Sequence, residues 1–301
     1  MDAAPTDGLR ITWAGHASTI VQLDGKTVLL DPVWSPKIGG VIRRLGAPGI
    51  PWENLPKVDA VLVSHNHYDH LDVPTLKRLP ADTPIVVPAG NGRLLRRKGF
   101  AHVQELEWWQ TAVVEGLKLH LVPAHHWSRR VPWDQDRSLW GGWVVEGKAQ
   151  TAYFAGDTAY GPFFGDIARR HPRLDVAMMP IGAYAPRHYN GCNHVDPEES
   201  LQAFQDVGAN VMVPVHWGTF RLSPEPIMEP IERLEAAWGR SGLERHRLWD
   251  LAVGESRQLG GKWTGLPRPA PIARETPTRE DTKFPALDDA PSPPRLPGAA
   301  A

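Results

Sequence analysis

Cysteine is almost missing from the 301 residues: Cys192 stands alone, so no intrachain disulfide can form. The fold must rest on its own core, and a lone thiol fits a reducing compartment. Long apolar runs are also lacking, since no stretch approaches the roughly 20 residues that span a bilayer. A transmembrane protein is therefore excluded, leaving only peripheral membrane contact. The opening Met1-Asp-Ala-Ala-Pro-Thr-Asp-Gly segment carries acid where a signal peptide needs positive charge, and no apolar stretch follows it. Together these features predict a cytoplasmic protein. Charge of one sign is scarce too: Lys+Arg 33 against Asp+Glu 34 gives a net charge of -1, with no dense basic run to neutralise a phosphate backbone. Nucleic acid is not an expected partner.

Hydrophobic residues at 42% and charged residues at 22% match an ordinary soluble composition and permit a sizeable core. The chain holds 13 Trp, 30 Pro and 28 Gly, which predicts many turns and shaped loops where function collects. From Gly265 onward, nine prolines fall in 37 residues with few aliphatics. Residues 1–263 are accordingly expected to form one folded domain, ending near Trp263, and residues 264–301 a Pro-rich tail without fixed structure.

Apolar runs repeatedly end in polar residues. Strands are expected at Leu9–Trp13, Thr19–Leu23, Lys26–Leu30, Val58–Val63, Pro84–Pro88, within Ala112–Val122 as two, and at Trp143–Glu146, Ala152–Phe154, Val176–Met179, Val211–Val215 and Leu248–Ala252. Helices are expected at Pro74–Leu79, Asn91–Lys98, Pro197–Val207 behind the N-cap Asp196, and Ile227–Trp238. Four of the strands lead directly into His or Asp. His65-Asn-His67-Tyr-Asp69-His70 packs four metal-ligand types into six positions, and alternation at a strand end points His65 and His67 to one side. His126, Asp157 and His216 follow further strands, which makes seven ligands: three for each of two metals and a carboxylate to bridge, with Asp157 the natural bridge. Imidazoles with few carboxylates suit two Zn²⁺ ions, and also Fe or Mn, better than Ca²⁺ or Mg²⁺.

The His-x-His-x-Asp-His run, Gly156-Asp157-Thr158 and the late His216 resemble the metallo-β-lactamase fold superfamily. Ile11-Thr-Trp-Ala-Gly-His-Ala17, Asp31-Pro32, His126-Trp127, Leu139-Trp-Gly-Gly-Trp143, Ile181-Gly-Ala-Tyr184, His194-Val-Asp-Pro-Glu-Glu199 and His216-Trp-Gly-Thr-Phe220 narrow the resemblance to the N-acylphosphatidylethanolamine-hydrolysing phospholipase D family. That resemblance implies an αβ/βα sandwich of α/β class and a homodimer. It assigns His65, His67 and His126 to one zinc, Asp69, His70 and His216 to the other, and Asp157 to the bridge. The family motif puts the ligand directly before Trp127, hence His126 and not His125. Asp31 would support the ligands or the water, and His194 would bind a phosphate oxygen or donate a proton. His16 is read as structural or supporting, and His102, His120, His171 and His246 as ordinary.

Trp127, Trp133 and Trp140 offer a wall for acyl groups, whereas Trp143 and Trp217 read as core; Arg129 and Arg130 are candidates to grip a phosphate. The implied reaction is hydrolysis of N-acylphosphatidylethanolamine to phosphatidic acid and N-acylethanolamine. No amphipathic anchor or lipidation motif stands out, so a small soluble phosphodiester, or a lactone or other acyl substrate, is the alternative. A non-catalytic metal-binding interaction protein is the distant third.

Overall fold

A computed structural model describes residues 1–260. The expected boundary near Trp263 and the Pro-rich 264–301 segment lie outside the described residues.

The first half winds β1 (Leu9–Gly15), β2 (Ser18–Leu23) and β3 (Lys26–Leu30) as an antiparallel meander, turning at Asp24-Gly25. A small hairpin of β4 (Lys37–Ile38) and β5 (Ile42–Arg43) intervenes before β6 (Ala60–Leu62). After α1 (Val73–Leu76) come β7 (Ile85–Pro88), α2 (Gly92–Arg97) and β8 (Val103–Leu106). Strands β3, β6, β7 and β8 run parallel, as short crossovers through helices require.

A second sheet begins with β9 (Thr111–Val114), β10 (Leu117–Val122) and β11 (Gly142–Glu146). It continues through β12 (Thr151–Phe154), α3 (Phe163–Arg170), β13 (Val176–Pro180), the short α4 (Arg187–Asn190), α5 (Pro197–Val207) and β14 (Val211–Val215). Helix α6 (Glu229–Ser241) follows, and β15 (Ser256–Leu259) returns to pair with β1. The strand orders are β15-β1-β2-β3-β6-β7-β8 and β14-β13-β12-β11-β10-β9.

Period-2 alternation explains the layering. Val28 and Leu30 of β3 join Leu119, Leu121, Trp143, Phe154 and Met178 in the core between the sheets, while Leu29 packs outward with Leu76 and Leu95 beneath α1 and α2. On the other outer face, Val144 and Tyr153 pack with Phe164 of α3, Phe204 of α5 and Trp238 of α6. The result is a helix–sheet–sheet–helix sandwich, as the family resemblance implies.

Residues 248–252, expected as a strand, meet the edge strand β14 only in an isolated bridge from Leu248 to Met212, with the Trp249 N–H donating to the Met212 carbonyl at 2.8 Å; the 3₁₀ turn Arg245–Arg247 precedes them. Strand β8, helix α3 and strand β15 form where the sequence reading placed no element. Asp196 does cap α5, accepting from the Glu199 N–H at 2.9 Å, while the Glu199 side chain accepts from the Asp196 N–H at 3.2 Å. This box fixes the segment that carries His194.

Candidate metal centre

Because β3 and β6 are parallel, as are β12, β13 and β14, their carboxyl ends open onto one edge of the sandwich. Asp31 follows β3, Ser64–His70 follow β6, and His126 lies in the loop after β10. Asp157 follows β12 and His216 follows β14. The seven expected ligands therefore meet, although they are spread over more than 150 residues of sequence. His65, His70, His126, Asp157 and His216 are all buried.

Asp157 sits at the middle. Its Oδ2 lies 3.1 Å from His70 Nε2, 3.1 Å from His216 Nε2, 3.8 Å from His126 Nε2, 4.0 Å from His65 Nε2 and 4.0 Å from His194 Nδ1. On one side His67 Nδ1 approaches His65 Nε2 at 2.8 Å and His126 Nε2 at 3.3 Å. On the other, Asp69 Oδ2 lies 3.4 Å from His70 Nε2, 3.5 Å from His216 Nε2 and 2.9 Å from His16 Nε2.

Nε2 of His70 and of His216, and Oδ1 of Asp157, are buried without an aligned hydrogen bond. Polar atoms that converge on shared points without pairing with one another are the pattern a cation satisfies. His65, His67 and His126 form one group able to hold a metal, and His16, Asp69, His70 and His216 another.

Electrostatics follow the same division. Burial lowers the pKa of His65 and His126 well below the ordinary value, and that of His67 to about 4. Burial also opposes protonation of His70 and His216, but neighbouring carboxylates, Asp157 first, outweigh it, raising His70 well above the usual range and His216 to about 9. Burial works against ionisation of Asp157, yet the facing His216 and His70 hold its carboxyl well below the carboxylate range. The cluster thus gathers positive charge beside Asp69 and Asp157, where a cation would replace protons.

Supporting contacts reach beyond these residues. Asp31 Oδ2 accepts from His70 Nδ1 at 2.6 Å and from Ser64 Oγ at 2.6 Å, while its Oδ1 accepts from the Ser64 N–H at 2.6 Å. His126 Nδ1 lies 3.0 Å from the Asn193 carbonyl. Ser64 and Asn193 had no assigned role in the sequence reading; the only signal for Ser64 is its place at the head of the histidine run. The Trp13 indole donates to the His16 carbonyl at 2.7 Å, and the Trp143 indole to the Val63 carbonyl at 3.0 Å. Core tryptophans therefore hold the His16 turn and the histidine run after β6 at their roots. His16, Asp31 and His216 all have φ between 42° and 62°, strain that their surroundings must impose.

His194 faces the cluster, half-buried, with its Nδ1 atom buried and unpartnered. Burial lowers its pKa to about 4, so at neutral pH its ring is uncharged. Arg187 fixes the backbone there, donating to the His194 carbonyl at 2.7 Å while gripping both oxygens of Glu199 at 2.7 Å. His125 is exposed and belongs to none of the groups able to hold a metal among the described residues.

Arg130 differs from its expected role. Its Nη1 donates to the Asn66 and Leu71 carbonyls at 2.8 Å and its guanidinium covers the Tyr68 ring, so it braces the histidine loop. Arg129 lies over Trp127, which itself meets the His67 ring edge-on. Trp143 is fully buried; Trp217 is partly buried and stacks on Trp13 at 5.2 Å; Trp140 donates to the Ala124 carbonyl at 3.0 Å; and Trp133 is 73% exposed.

A two-sheet α/β sandwich with a His/Asp cluster at one edge defines a class, the metal-dependent hydrolases of metallo-β-lactamase fold. The chain belongs to this superfamily: residues 26–217 match the Beta-lactamase superfamily domain. It is 33% identical to the N-acyl-phosphatidylethanolamine-hydrolyzing phospholipase D 1 of Caenorhabditis elegans, over 76% of this chain and 69% of that one. An uncharacterized Mycobacterium tuberculosis protein is 42% identical over 76% of this chain, and the match spans 64% of its length. A metal-dependent hydrolase of Methanopyrus kandleri is 35% identical, over 75% of this chain and 93% of its own. Among solved structures, a metallo hydrolase from Ignicoccus hospitalis superposes with a TM-score of 0.65 at 23% identity, covering 85% of this chain and 100% of that one. No helix of the described residues is long and apolar enough to cross a membrane.

Proposed function

We infer that this metal-dependent hydrolase is a dinuclear phosphodiesterase of phospholipase D type, cleaving N-acylphosphatidylethanolamine to N-acylethanolamine and phosphatidic acid. The observation that carries the reading is Asp157 Oδ2 standing between two histidine groups, 3.1 Å from His70 and His216 and 3.8 Å from His126. His65, His67 and His126 would hold one metal, zinc by their chemistry, and Asp69, His70 and His216 the second, with Asp157 shared between them. When bound, such a pair makes water acidic enough to deliver hydroxide near neutral pH and offsets charge on the phosphoryl oxygens.

The chain's own groups set the rest. Asp31 holds His70 through Nδ1 and leaves Nε2 facing Asp157, the orientation a ligand imidazole needs. His194, uncharged at neutral pH, offers an N–H to a phosphoryl oxygen in preference to acting as an acid. In the reaction, the water oxygen bonds to phosphorus, the bond from phosphorus to the ethanolamine oxygen breaks, and solvent returns a proton to the leaving alkoxide.

Exposed apolar side chains support a lipid substrate. Tyr68 lies within the histidine run and Tyr189 in α4 just ahead of His194. Val41 and Leu45 project from the β4–β5 hairpin, which the Arg44–Phe220 bridge and the Leu45 N–H to Thr219 carbonyl bond hold against the His216 segment. Tyr68 and Tyr189 belong to the segments that carry the histidine run and His194, and the hairpin borders the His216 segment, so an acyl chain arriving at the site has apolar surface to meet.

The test is mass spectrometry of products from zinc-loaded protein and detergent-dispersed N-acylphosphatidylethanolamine, with chelated protein and Asp157→Asn as controls. Release of both products by the loaded parent alone supports the reading. A carboxylic acid product, or no cleavage by a fully metallated protein, overturns the lipid phosphodiesterase assignment.

A further inference from the structure

A second cluster of metal-binding side chains lies on the outer face of the second sheet. His120 of β10 and Glu146 of β11 are diagonal neighbours across an antiparallel pair, because His120 aligns with Val144 and Lys118 with Glu146. His171 ends α3, and its ring packs 4.7 Å from that of His120. One ligand atom from each of the three lies within 4.8 Å of the others, and His120 Nε2 is 3.2 Å from Glu146 Oε2. Tetrahedral zinc places neighbouring ligand atoms about 3.3 Å apart, so small side-chain shifts suffice to close the site.

We propose that His120, Glu146 and His171 form a peripheral transition-metal site, of zinc type, that ties helix α3 to strands β10 and β11.

The surroundings prepare the ligands. Thr111 Oγ1 lies 2.8 Å from His120 Nδ1, which fixes the ring and leaves Nε2 turned toward Glu146, the arrangement a supporting hydroxyl gives a metal-bound imidazole. Lys118 pairs with the other carboxylate oxygen, Oε1, at 2.7 Å, so Oε2 stays available. Arg170, the nearest further cation in sequence, lies over the Trp109 ring at 4.3 Å. His171 sits at the carboxyl end of α3, where the helix dipole favours a cation. The three side chains are partly exposed, so an ion can enter and a solvent molecule can complete the coordination. Among the described contacts, none joins this trio to the Asp157 cluster, and the site is independent of the substrate reading.

The experiment is a zinc titration of the full-length holoprotein by equilibrium dialysis, comparing the parent with His120→Ala and His171→Ala. The expected result is one zinc equivalent fewer in each variant, with hydrolase turnover within about twofold of the parent and a smaller rise in melting temperature on adding zinc. Equal zinc content and equal thermal response in all three proteins would overturn the site. Histidine modification by diethyl pyrocarbonate, mapped by peptide mass spectrometry on the parent alone, needs no variant. Zinc should protect His120 and His171, and unchanged modification of both would equally sink the proposal.

Discussion

Nδ1 of His70 and Oδ2 of Asp31 are 2.6 Å apart, and both side chains are completely buried. The pair links the end of β3 to the histidine loop after β6, and the same carboxylate accepts two bonds from Ser64. Asp31 acts on the cluster directly through His70, and Ser64 Oγ, which donates to it, also lies 2.9 Å from His65 Nδ1. Asp31→Asn preserves size but loses the charge that orients the imidazole. Metal affinity or turnover should fall about 10- to 100-fold, with the fold intact by circular dichroism. Metal analysis beside kinetics checks this, and unchanged values for both would remove Asp31 from the site.

Gly182 shows how closely the segments after β13 and β14 approach at the edge that carries the cluster. A Cβ built there would stand 2.2 Å from the His216 carbonyl oxygen, which is backbone and cannot move aside cheaply. Gly182→Ala should cost about 1–3 kcal/mol and displace His216, lowering both melting temperature and metal content. A variant with parental stability and metal content would show that this approach does not position His216.

Asp175 gives a pH test remote from the cluster. Burial raises its pKa above the carboxylate norm, although it accepts from the Thr151 N–H at 2.7 Å. A raised folded-state pKa means the folded protein holds this proton more tightly than the unfolded chain. Its contribution is fully present below the unfolded value of about 3.9 and is lost as pH rises through the folded value. Asp175→Asn has no such loss, so the variant's stability relative to the parent should rise between about pH 4 and neutrality. Urea denaturation at both ends of that window measures it, and a flat or falling difference would contradict the assigned direction.

Much of the candidate site is legible because each expected ligand follows an apolar strand, and parallel strands deliver their ends to one edge. His65, His67, Asp69 and His70 stood out by density, and His126, Asp157 and His216 by position after β10, β12 and β14. The supporting contacts were not legible. Ser64 and Asn193 act through one hydroxyl and one carbonyl, which leave no compositional trace. Arg130 read as a phosphate grip because an exposed arginine pair and a loop brace look alike in sequence. Strand β8 was missed because Val103-Gln-Glu-Leu106 is a short, partly exposed edge strand, and α3 because its apolar face is concentrated in Phe163, Phe164 and Ile167. His120 and His171 looked ordinary because only the packing of α3 on the sheet brings them together.

The central claim is that water attacks phosphorus at the Asp157 cluster, and hydrolysis in ¹⁸O-labelled water tests it most directly. If N-acylphosphatidylethanolamine is cleaved as argued, mass spectrometry will find the heavy oxygen in the phosphate of phosphatidic acid and none in N-acylethanolamine, and Asp157→Asn will yield neither product. Label in a released carboxylate, or labelled phosphatidic acid formed equally well by Asp157→Asn, would contradict the account.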